Sequence, residues 1–308
     1  MGGRINKFTR ILARITPAAE AIAERGRTLP ELPASPPTFA ETLAAAGRVS
    51  DRSGLATAWS GPTDDRIVAS ELTDAQIEHG VALRGAGLNT TDEKVAATMW
   101  LQWYCHRMAA PVMASWVLHR RVPDVSAGNI ALRFDSEGRP AFVAMIEMRA
   151  AGLPGDHVED AKLTQAEDLL PEIVRVLLDG HLLPLAERVR ARYRLGGPIT
   201  RGTVASQIGM ALTAIDAHTT VPWERVAADA LSLFDLTKPT IDGQGRSGDV
   251  VCTESCGRVG MTFRRGTCCL VYKTSGREKC GGCPLRTDED RAGVYAERMS
   301  LRSEQFLV

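Results

Sequence analysis

The sequence predicts an α+β fold in which helices predominate, with at least one β-hairpin and a cysteine-rich C-terminal segment. Three observations support this class. Several segments repeat apolar residues at helical spacing, two short apolar runs flank a glycine-containing turn near residue 137, and six of the seven cysteines fall between positions 252 and 283. With 308 residues and 44% hydrophobic content, the chain is able to bury a large core.

We expect three parts along the chain, at 1–37, 38–245 and 246–308. The first part holds an N-terminal helix and a proline-rich linker. In Met1–Glu24 basic and apolar residues alternate at amphipathic spacing, which favours a surface helix over a helix lying on a membrane. The four prolines within Leu29–Thr38 predict an extended linker. The second part is the mainly helical core, and the third carries the cysteines and a C-terminal helix.

Cap residues mark the first helices of the core. Thr38 is a candidate N-cap for a short helix that ends near residue 47, and Thr73 is a candidate N-cap for Asp74–Leu83. From Asp92 to Arg120, apolar residues recur every three to five positions, which predicts a long buried helix. Cys105 lies inside this helix and is interpreted as a small packed apolar group.

The second half of the core turns from helix to sheet and back. Two β-rich runs flank a turn that contains Gly138, which predicts a hairpin. Thr164 and Glu167 have capping-box spacing and predict the start of a helical stretch that continues to Arg194. The predicted hairpin strands and the two helices that follow are Asn129–Phe134, Ala141–Ile146, Thr203–Ala217 and Pro222–Leu233.

Charge and hydropathy exclude several classes of protein. Lys+Arg and Asp+Glu both total 37, so no overall excess of charge indicates a nucleic-acid partner. No apolar run reaches the roughly 18 residues that span a bilayer, so we expect no integral membrane segment, although peripheral membrane contact stays open. The cysteines cluster in a chain that has its own core and no export signal. Reduced thiolates that hold a metal in the cytoplasm therefore fit better than a disulfide framework.

A GxGxxG pattern at Gly243–Gly248 resembles a dinucleotide-binding loop. That site requires a strand before the glycines and a helix starting at them. Lys238-Pro239 precedes the pattern and Val250-Val251-Cys252 follows it, so we interpret it as a flexible loop.

The strongest chemical signal is Cys268-Cys269, ten residues, then Cys280-Gly281-Gly282-Cys283. The two glycines let a C-x-x-C turn bring two sulfurs to one metal. Consecutive side chains on an extended chain point to opposite sides, so the vicinal pair suits a binuclear iron centre better than one tetrahedral zinc ion. Structural zinc and redox-switch or disulfide thiols stay open as alternatives. Cys252 and Cys256 lie nearby, and a non-ligand role is favoured for both.

These residues resemble a known family. Two stretches are similar to the cluster segment of FhuF-like ferric-siderophore reductases. They are Arg264-Arg265-Gly266-Thr267-Cys268-Cys269-Leu270-Val271-Tyr272 and Cys280-Gly281-Gly282-Cys283-Pro284-Leu285. By this resemblance, Cys268, Cys269, Cys280 and Cys283 hold a 2Fe-2S cluster. The charged tail from Thr287 to Val308 departs from the family pattern, in which the motif lies nearly at the C-terminus.

The resemblance implies one-electron reduction of a ferric siderophore, with iron(II) released in the cytoplasm and residues 38–245 as the candidate siderophore-binding part. The expected electron donor is a ferredoxin or a flavin reductase. Between Arg246 and Arg286, eight basic residues face three acidic ones, and this local excess would attract an anionic complex or an acidic donor. The candidate steering residues are Arg264, Arg265, Lys273, Arg277 and Lys279. The alternatives are an iron-sulfur sensor, a siderophore-binding module without turnover, and a zinc-stabilised protein.

Overall fold

The computed structural model describes residues 14–24, 37–241, 247–255, 258–274 and 276–305. Its helices are α1 (Ala18–Glu24), α2 (Phe39–Val49), α3 (Asp74–Gly87), α4 (Glu93–His119), α5 (Leu170–Ile173), a π-helical segment (Val174–Leu182), α6 (Leu183–Tyr193), α7 (Gly197–His218), α8 (Trp223–Thr237) and α9 (Asp288–Gln305). Its strands are β1 (Arg14–Pro17), β2 (Ile67–Val68), β3 (Arg121–Pro123), β4 (Ile130–Phe134), β5 (Pro140–Met145), β6 (Arg149–Gly152), β7 (Lys162–Gln165), β8 (Gly248–Ser255) and β9 (Arg258–Arg265). The predicted helix-rich α+β class is confirmed.

Helices α4 and α7 pack along each other at the centre of the core, and α2, α3 and α6 pack around α4. Helix α4 begins where the Asp92 carboxylate accepts hydrogen bonds from the backbone N–H groups of Lys94 and Val95. Its side chains are buried on nearly every face, Trp100 and Met108 among them. A helix that is apolar all round must lie inside the protein, so α4 is the element on which the others are arranged.

A buried hydrogen-bonded chain ties the π-helical segment to α4. His181 Nδ1 lies 2.5 Å from the carbonyl oxygen of Val125, so this nitrogen must donate. The other ring nitrogen, Nε2, then accepts from the Tyr104 hydroxyl at 2.8 Å. Burial lowers the pKa of His181 to about 4, so the ring is neutral at physiological pH. Both ring nitrogens are satisfied, which accounts for a histidine inside an apolar core.

The strands form three small sheets in the orders β2-β4-β5, β3-β6-β7 and β1-β8-β9. The predicted hairpin is present as β4 and β5, and Gly138 takes a positive φ of 71° in its turn. A buried ion pair stabilises the β3 end of α4. Arg121 is fully buried and bonds both carboxylate oxygens of Asp156 at 2.7 Å. Since burial of an unpaired guanidinium is costly, this pair fixes the chain around β3.

The β8–β9 hairpin lies against α7, and two glycines of that helix make the close approach possible. A Cβ at Gly209 would overlap the ring of Phe263, and a Cβ at Gly202 would overlap the side chain of Thr267. Val250 and Met261 of the hairpin join the same apolar core as the helices. The cysteine segment that follows β9 is therefore placed by direct packing of the hairpin on α7.

Some local predictions were wrong at their boundaries. Arg14–Pro17 is a strand paired antiparallel with β8, where the sequence predicted helix, because the edge of β8 supplies hydrogen-bonding partners. Thr164 lies in strand β7, parallel to β6, and the helix begins at Leu170 instead, where the Asp168 carboxylate accepts its backbone N–H. Strand pairing overrode the capping-box pattern there.

The capping predictions at the start of the core were confirmed. Thr38 and Thr73 both form full capping boxes, at the starts of α2 and α3. The Gly243–Gly248 pattern lies partly outside the described residues, but β8 starts at Gly248, so a strand and not a helix follows the glycines. Residues 1–13, residues 25–36, which include most of the predicted linker Leu29–Thr38, and Cys256 lie outside the described residues. The three-part division of the chain stays a prediction.

Candidate metal centre

Two short segments after β9 supply the thiols of the candidate metal centre. Cys268 and Cys269 follow the end of β9 at Arg265, and a 3₁₀ turn over Val271–Lys273 then reverses the chain. The second segment is a tight turn in which the Cys283 N–H donates to the Cys280 carbonyl at 3.0 Å. The glycines between these two cysteines leave room for that turn, as the C-x-x-C spacing predicts.

The structure pairs the thiols across the two segments. The sulfurs of Cys269 and Cys280 lie 4.0 Å apart. Cys283 is a near neighbour of Cys268 and, after burial, helps raise the pKa of that thiol. Adjacent side chains leave an extended backbone in opposite directions, so each member of the vicinal pair meets a different cysteine of the C-x-x-C turn. The backbone N–H of Leu270 donates to the Cys268 sulfur at 3.3 Å, and Leu270 takes a positive φ of 64°.

This arrangement fits a binuclear centre better than a single zinc ion. Four sulfurs on one tetrahedral zinc must all lie about 3.8 Å apart, given Zn–S bonds of about 2.3 Å. Across the described residues, no three cysteine, histidine, aspartate or glutamate side chains converge closely enough to hold one ion. Two separate thiol pairs match instead the two irons of a 2Fe-2S cluster, each of which takes two cysteine ligands.

Charge and hydrogen bonding around the thiols favour a thiolate at Cys269, and the thiolate is the form that binds metal. The Cys269–Cys280 contact holds one proton between two sulfurs, which lowers the pKa of Cys269 to about 5 and raises that of Cys280. Arg265 lowers the pKa of both thiols through its positive charge. Burial raises the pKa of the Cys268 thiol, and the Leu270 N–H opposes that effect.

Two buried donors next to the thiols lack partners of their own. Arg265 is 9% exposed, and its Nε and Nη2 atoms make no hydrogen bond. Gln102, on α4, is also 9% exposed, and its Nε2 has no hydrogen-bond partner. It lies close enough to Cys269 to help lower the pKa of that thiol, after the larger effect of Cys280. Unsatisfied buried donors are costly unless an acceptor completes them. The sulfides and thiolates of a cluster are such acceptors, so these residues fit a bound 2Fe-2S group.

The centre is held between α4 and the C-terminal helix. Cys269 packs with Leu88 and Val271 in a small apolar cluster, against which Met99 of α4 also packs. On the other side, Tyr295 of α9 is buried, and its hydroxyl lies 3.6 Å from the position of a Cβ at Gly282. The tail that departs from the family pattern thus lies against the C-x-x-C turn and restricts access of solvent.

The candidate steering residues differ in their surroundings. Arg264 is engaged by two carboxylates, Asp249 at 2.7 Å and Asp288 at 3.5 Å, and Arg265 is buried beside the thiols. Lys273, Arg277 and Lys279 are exposed. A shallow recess of about 390 Å³ lies beside the thiols. It is lined by Tyr272, Arg277, Glu278, Lys279, Arg286 and Asp290. This recess holds more basic than acidic groups, so the surface next to the centre is positive.

The remaining described cysteines belong to the apolar core. Cys105 is fully buried in α4, and burial raises the pKa of its thiol above the usual range. Cys252 is buried in β8, where it pairs in register with Met261 of β9. Both pack inside the main apolar core. Sequence reasoning missed Gln102, because an uncharged residue inside a buried helix carries no signal of what faces it.

Together, the helical α+β fold and two thiol pairs beside buried donors define an iron-sulfur protein. Two family models match the chain: "Ferric iron reductase FhuF-like transporter" over residues 98–245, and "FhuF 2Fe-2S C-terminal domain" over residues 265–285. The second match contains all four cysteines and Arg265. A protein named "Ferric siderophore reductase" from Escherichia coli (strain K12) is 24% identical over 231 residues, which cover 74% of this chain and 78% of that protein.

The chain belongs to the FhuF-like ferric iron reductase family, and its C-terminal segment is a 2Fe-2S domain. Among the described residues, no helix combines the length and the apolar character that crossing a bilayer requires.

Proposed function

We propose that this protein reduces ferric siderophores by one electron at a time and releases iron(II) in the cytoplasm. The observation that carries the proposal is the meeting of four cysteines as two thiol pairs inside the segment that matches a 2Fe-2S domain. The resemblance to a ferric siderophore reductase over 74% of the chain supports the substrate class.

The proposed ligands are Cys268, Cys269, Cys280 and Cys283. When bound, a 2Fe-2S cluster supplies one electron at a time, which matches the change from iron(III) to iron(II). Siderophore oxygens are hard donors that suit iron(III) better than iron(II), so reduction loosens the complex. The balance is one electron taken from an external donor and one given to the ferric complex, and no proton transfer is needed from the protein.

The chain's own residues position and tune this centre. Arg265 and Gln102 place donors and positive charge against the Cys269 sulfur, which stabilises added negative charge there. Helix α9 and Met99 of α4 cover the thiols. The exposed Arg277 and Lys279 at the recess beside the cysteines favour approach of an acidic electron donor such as a ferredoxin or flavin reductase.

The test is transfer of the electron under anaerobic conditions. Protein reduced with dithionite and freed of the reductant is mixed with a ferric siderophore, while the cluster absorbance and the trapping of iron(II) by a chelator are followed. We expect re-oxidation of the cluster with one iron(II) formed per cluster. Cys283→Ser should abolish normal assembly of the cluster, and the matched control Cys105→Ser, in the core, should keep the wild-type spectrum.

Absence of re-oxidation in cluster-loaded wild-type protein would refute the reductase proposal. Re-oxidation by other oxidants, with the siderophore left unreduced, would support an iron-sulfur sensor instead. Colourless anaerobic protein that contains zinc, with neither iron nor acid-labile sulfide, would favour the zinc-stabilised alternative.

A further inference from the structure

An aromatic and arginine site lies on α4, one residue beyond Gln102. The half-buried ring of Trp103 has the guanidinium carbons of three arginines close to its centre, at 4.0 Å for Arg52, 5.1 Å for Arg139 and 5.9 Å for Arg84. The arginines come from the loop after α2, the β4–β5 turn and α3. Four distant segments therefore converge on one indole, and we call this group the Trp103 site.

The Trp103 site carries an excess of positive charge. Arg107, one turn further along α4, donates to the carbonyl of Arg52 at 2.8 Å, and Arg277 is close enough to Arg84 to oppose its protonation. Three carboxylates balance part of this charge. Asp51 lies 3.8 Å from Arg52, Glu137 contacts Arg84 and Arg139, and Asp135 contacts Arg139. Arg277 shares its recess with Glu278 and Asp290 and is left out of the balance. The four other arginines face three carboxylates, which leaves one positive charge without a carboxylate partner.

A buried donor at the Trp103 site also lacks an acceptor. Arg84 is 7% exposed, and its Nε atom has no hydrogen-bond partner. Within the described part of the chain, the same guanidinium group keeps only its Nη1 bonded, to Glu137 at 3.3 Å. Gathering like charges and an unsatisfied donor costs stability in the free protein. Such an arrangement is typical of a site that a negatively charged ligand completes.

The Trp103 site lies next to the thiols. Gln102 precedes Trp103 on α4 and lies near Cys269, while Met99, one turn earlier, packs against the apolar cluster of Cys269, to which Cys280 also packs. Arg277 of the cysteine segment is also near this site, because its positive charge adds to burial in lowering the pKa of Arg84. Helix α4 therefore carries both the Trp103 site and residues that contact the cysteine segment.

We propose that the Trp103 site binds the ferric siderophore and selects complexes with a net negative charge. This inference rests on the proposed reduction of ferric siderophores, whose substrate class it narrows. The ring and the planar guanidinium groups suit flat catechol or carbonyl donors, and the excess positive charge suits an anionic complex. Tris-catecholate and citrate-hydroxamate siderophores both meet this description, and a neutral tris-hydroxamate does not.

Binding is measured with redox-inert gallium(III) complexes and the cluster-loaded full-length protein, by titration calorimetry. The three probes are an anionic gallium tris-catecholate, an anionic gallium citrate-hydroxamate and a neutral gallium tris-hydroxamate. We expect both anionic complexes to bind wild-type protein at least roughly tenfold more tightly than the neutral one, given close guanidinium contacts. Equal or tighter binding of the neutral complex would overturn the selection for negative charge. If only one anionic complex binds tightly, that result identifies which class of anionic siderophore the site takes.

Arg52→Gln is the cleanest variant, because its side chain is 46% exposed and its contact with Asp51 is long. It should weaken binding of the anionic complexes roughly tenfold and leave the neutral complex within about threefold. Trp103→Leu should weaken all three, and Trp103→Phe should restore part of the loss. The matched control is Arg175→Gln, whose side chain is 59% exposed and pairs within its own helix. Unchanged anion affinity in both Arg52→Gln and Trp103→Leu, with the control unaffected, would refute the site.

Turnover separates this inference from the reductase proposal. With the ferric complex varied over a range of concentrations and the cluster kept reduced by a continuous supply of electrons, Arg52→Gln should raise KM and keep kcat near the wild-type value. If wild-type protein never reduces the ferric complex, the proposed function fails. If wild-type protein turns over and Arg52→Gln keeps the wild-type KM, only the location of the substrate site fails.

Discussion

The charge of Arg265 should set the reduction potential of the cluster. This side chain is buried beside the thiols, its Nε and Nη2 make no hydrogen bond, and it lowers the pKa of both Cys269 and Cys280. Reduction adds one negative charge to the centre, so a fixed positive charge stabilises the reduced form. Arg265→Gln removes that charge and keeps a polar side chain of similar reach.

The size of the shift follows from Coulomb's law. At a separation of about 8 Å and an effective dielectric constant of about 20, one unit charge contributes about 2 kcal/mol. For a one-electron couple, a tenfold change in equilibrium corresponds to 59 mV, or about 1.4 kcal/mol, so the expected shift is about 80 mV toward more negative potential. Arg264 is 31% exposed and already paired with Asp249 and Asp288, so Arg264→Gln should shift the potential by less than about 30 mV.

The assay is an anaerobic redox titration of cluster-loaded protein, followed by absorbance and by the EPR signal of the reduced state. Iron and acid-labile sulfide are measured first, so that only variants with full clusters are compared. Arg265→Lys restores the charge and should return the potential to within about 30 mV of wild type. A potential that stays within about 20 mV of wild type in fully loaded Arg265→Gln, or that rises, would refute the electrostatic role of this arginine.

Three further predictions concern the scaffold of the site. Gly202→Ala places a methyl group against Thr267, so it should lower the melting temperature by the equivalent of about 2 kcal/mol and reduce iron loading. The control Gly128→Ala, at an open position, should change neither quantity. Normal iron loading in Gly202→Ala would contradict this prediction. Asp156→Asn leaves the buried guanidinium of Arg121 without its counter-charge, so it should lower the free energy of unfolding, measured in urea, by about 3 kcal/mol. A loss under about 1 kcal/mol, the value of an exposed ion pair, would show that this pair does not stabilise the fold. Between pH 4 and 6.5 the histidine is protonated in the unfolded chain but stays neutral when His181 is buried in the folded protein. The free energy of unfolding should therefore rise with pH by up to about 1.4 kcal/mol per pH unit, and His181→Gln should reduce this slope. An unchanged slope in the variant would exclude His181 as its source.

Local signals in the sequence were sufficient for the main helices. The capping boxes at Thr38 and Thr73 and the long apolar pattern from Asp92 depend on contacts within a few residues, and the structure places helices at each. The β4–β5 hairpin was predicted for the same reason, since its turn needs only Gly138 and its neighbours. Local preference was enough wherever it agreed with the tertiary packing.

Long-range pairing explains the predictions that failed. Thr164 has a helix-start pattern, yet it lies in a strand because β6 offers a parallel partner. Arg14–Pro17 has helical spacing, yet it pairs with β8, more than two hundred residues away. No local pattern records the presence of such a partner.

The spacing of Cys268, Cys269, Cys280 and Cys283 was enough, by itself, to predict a metal-binding segment and, with the family resemblance, a 2Fe-2S cluster. Their number and order are properties of about sixteen consecutive residues, so no tertiary information was needed. Which thiol lies against which was decided by the tertiary structure alone, because the β8–β9 hairpin must first pack on α7. The same holds for Gln102 and the Trp103 site, whose residues are far apart in sequence and meet only when the helices pack around α4.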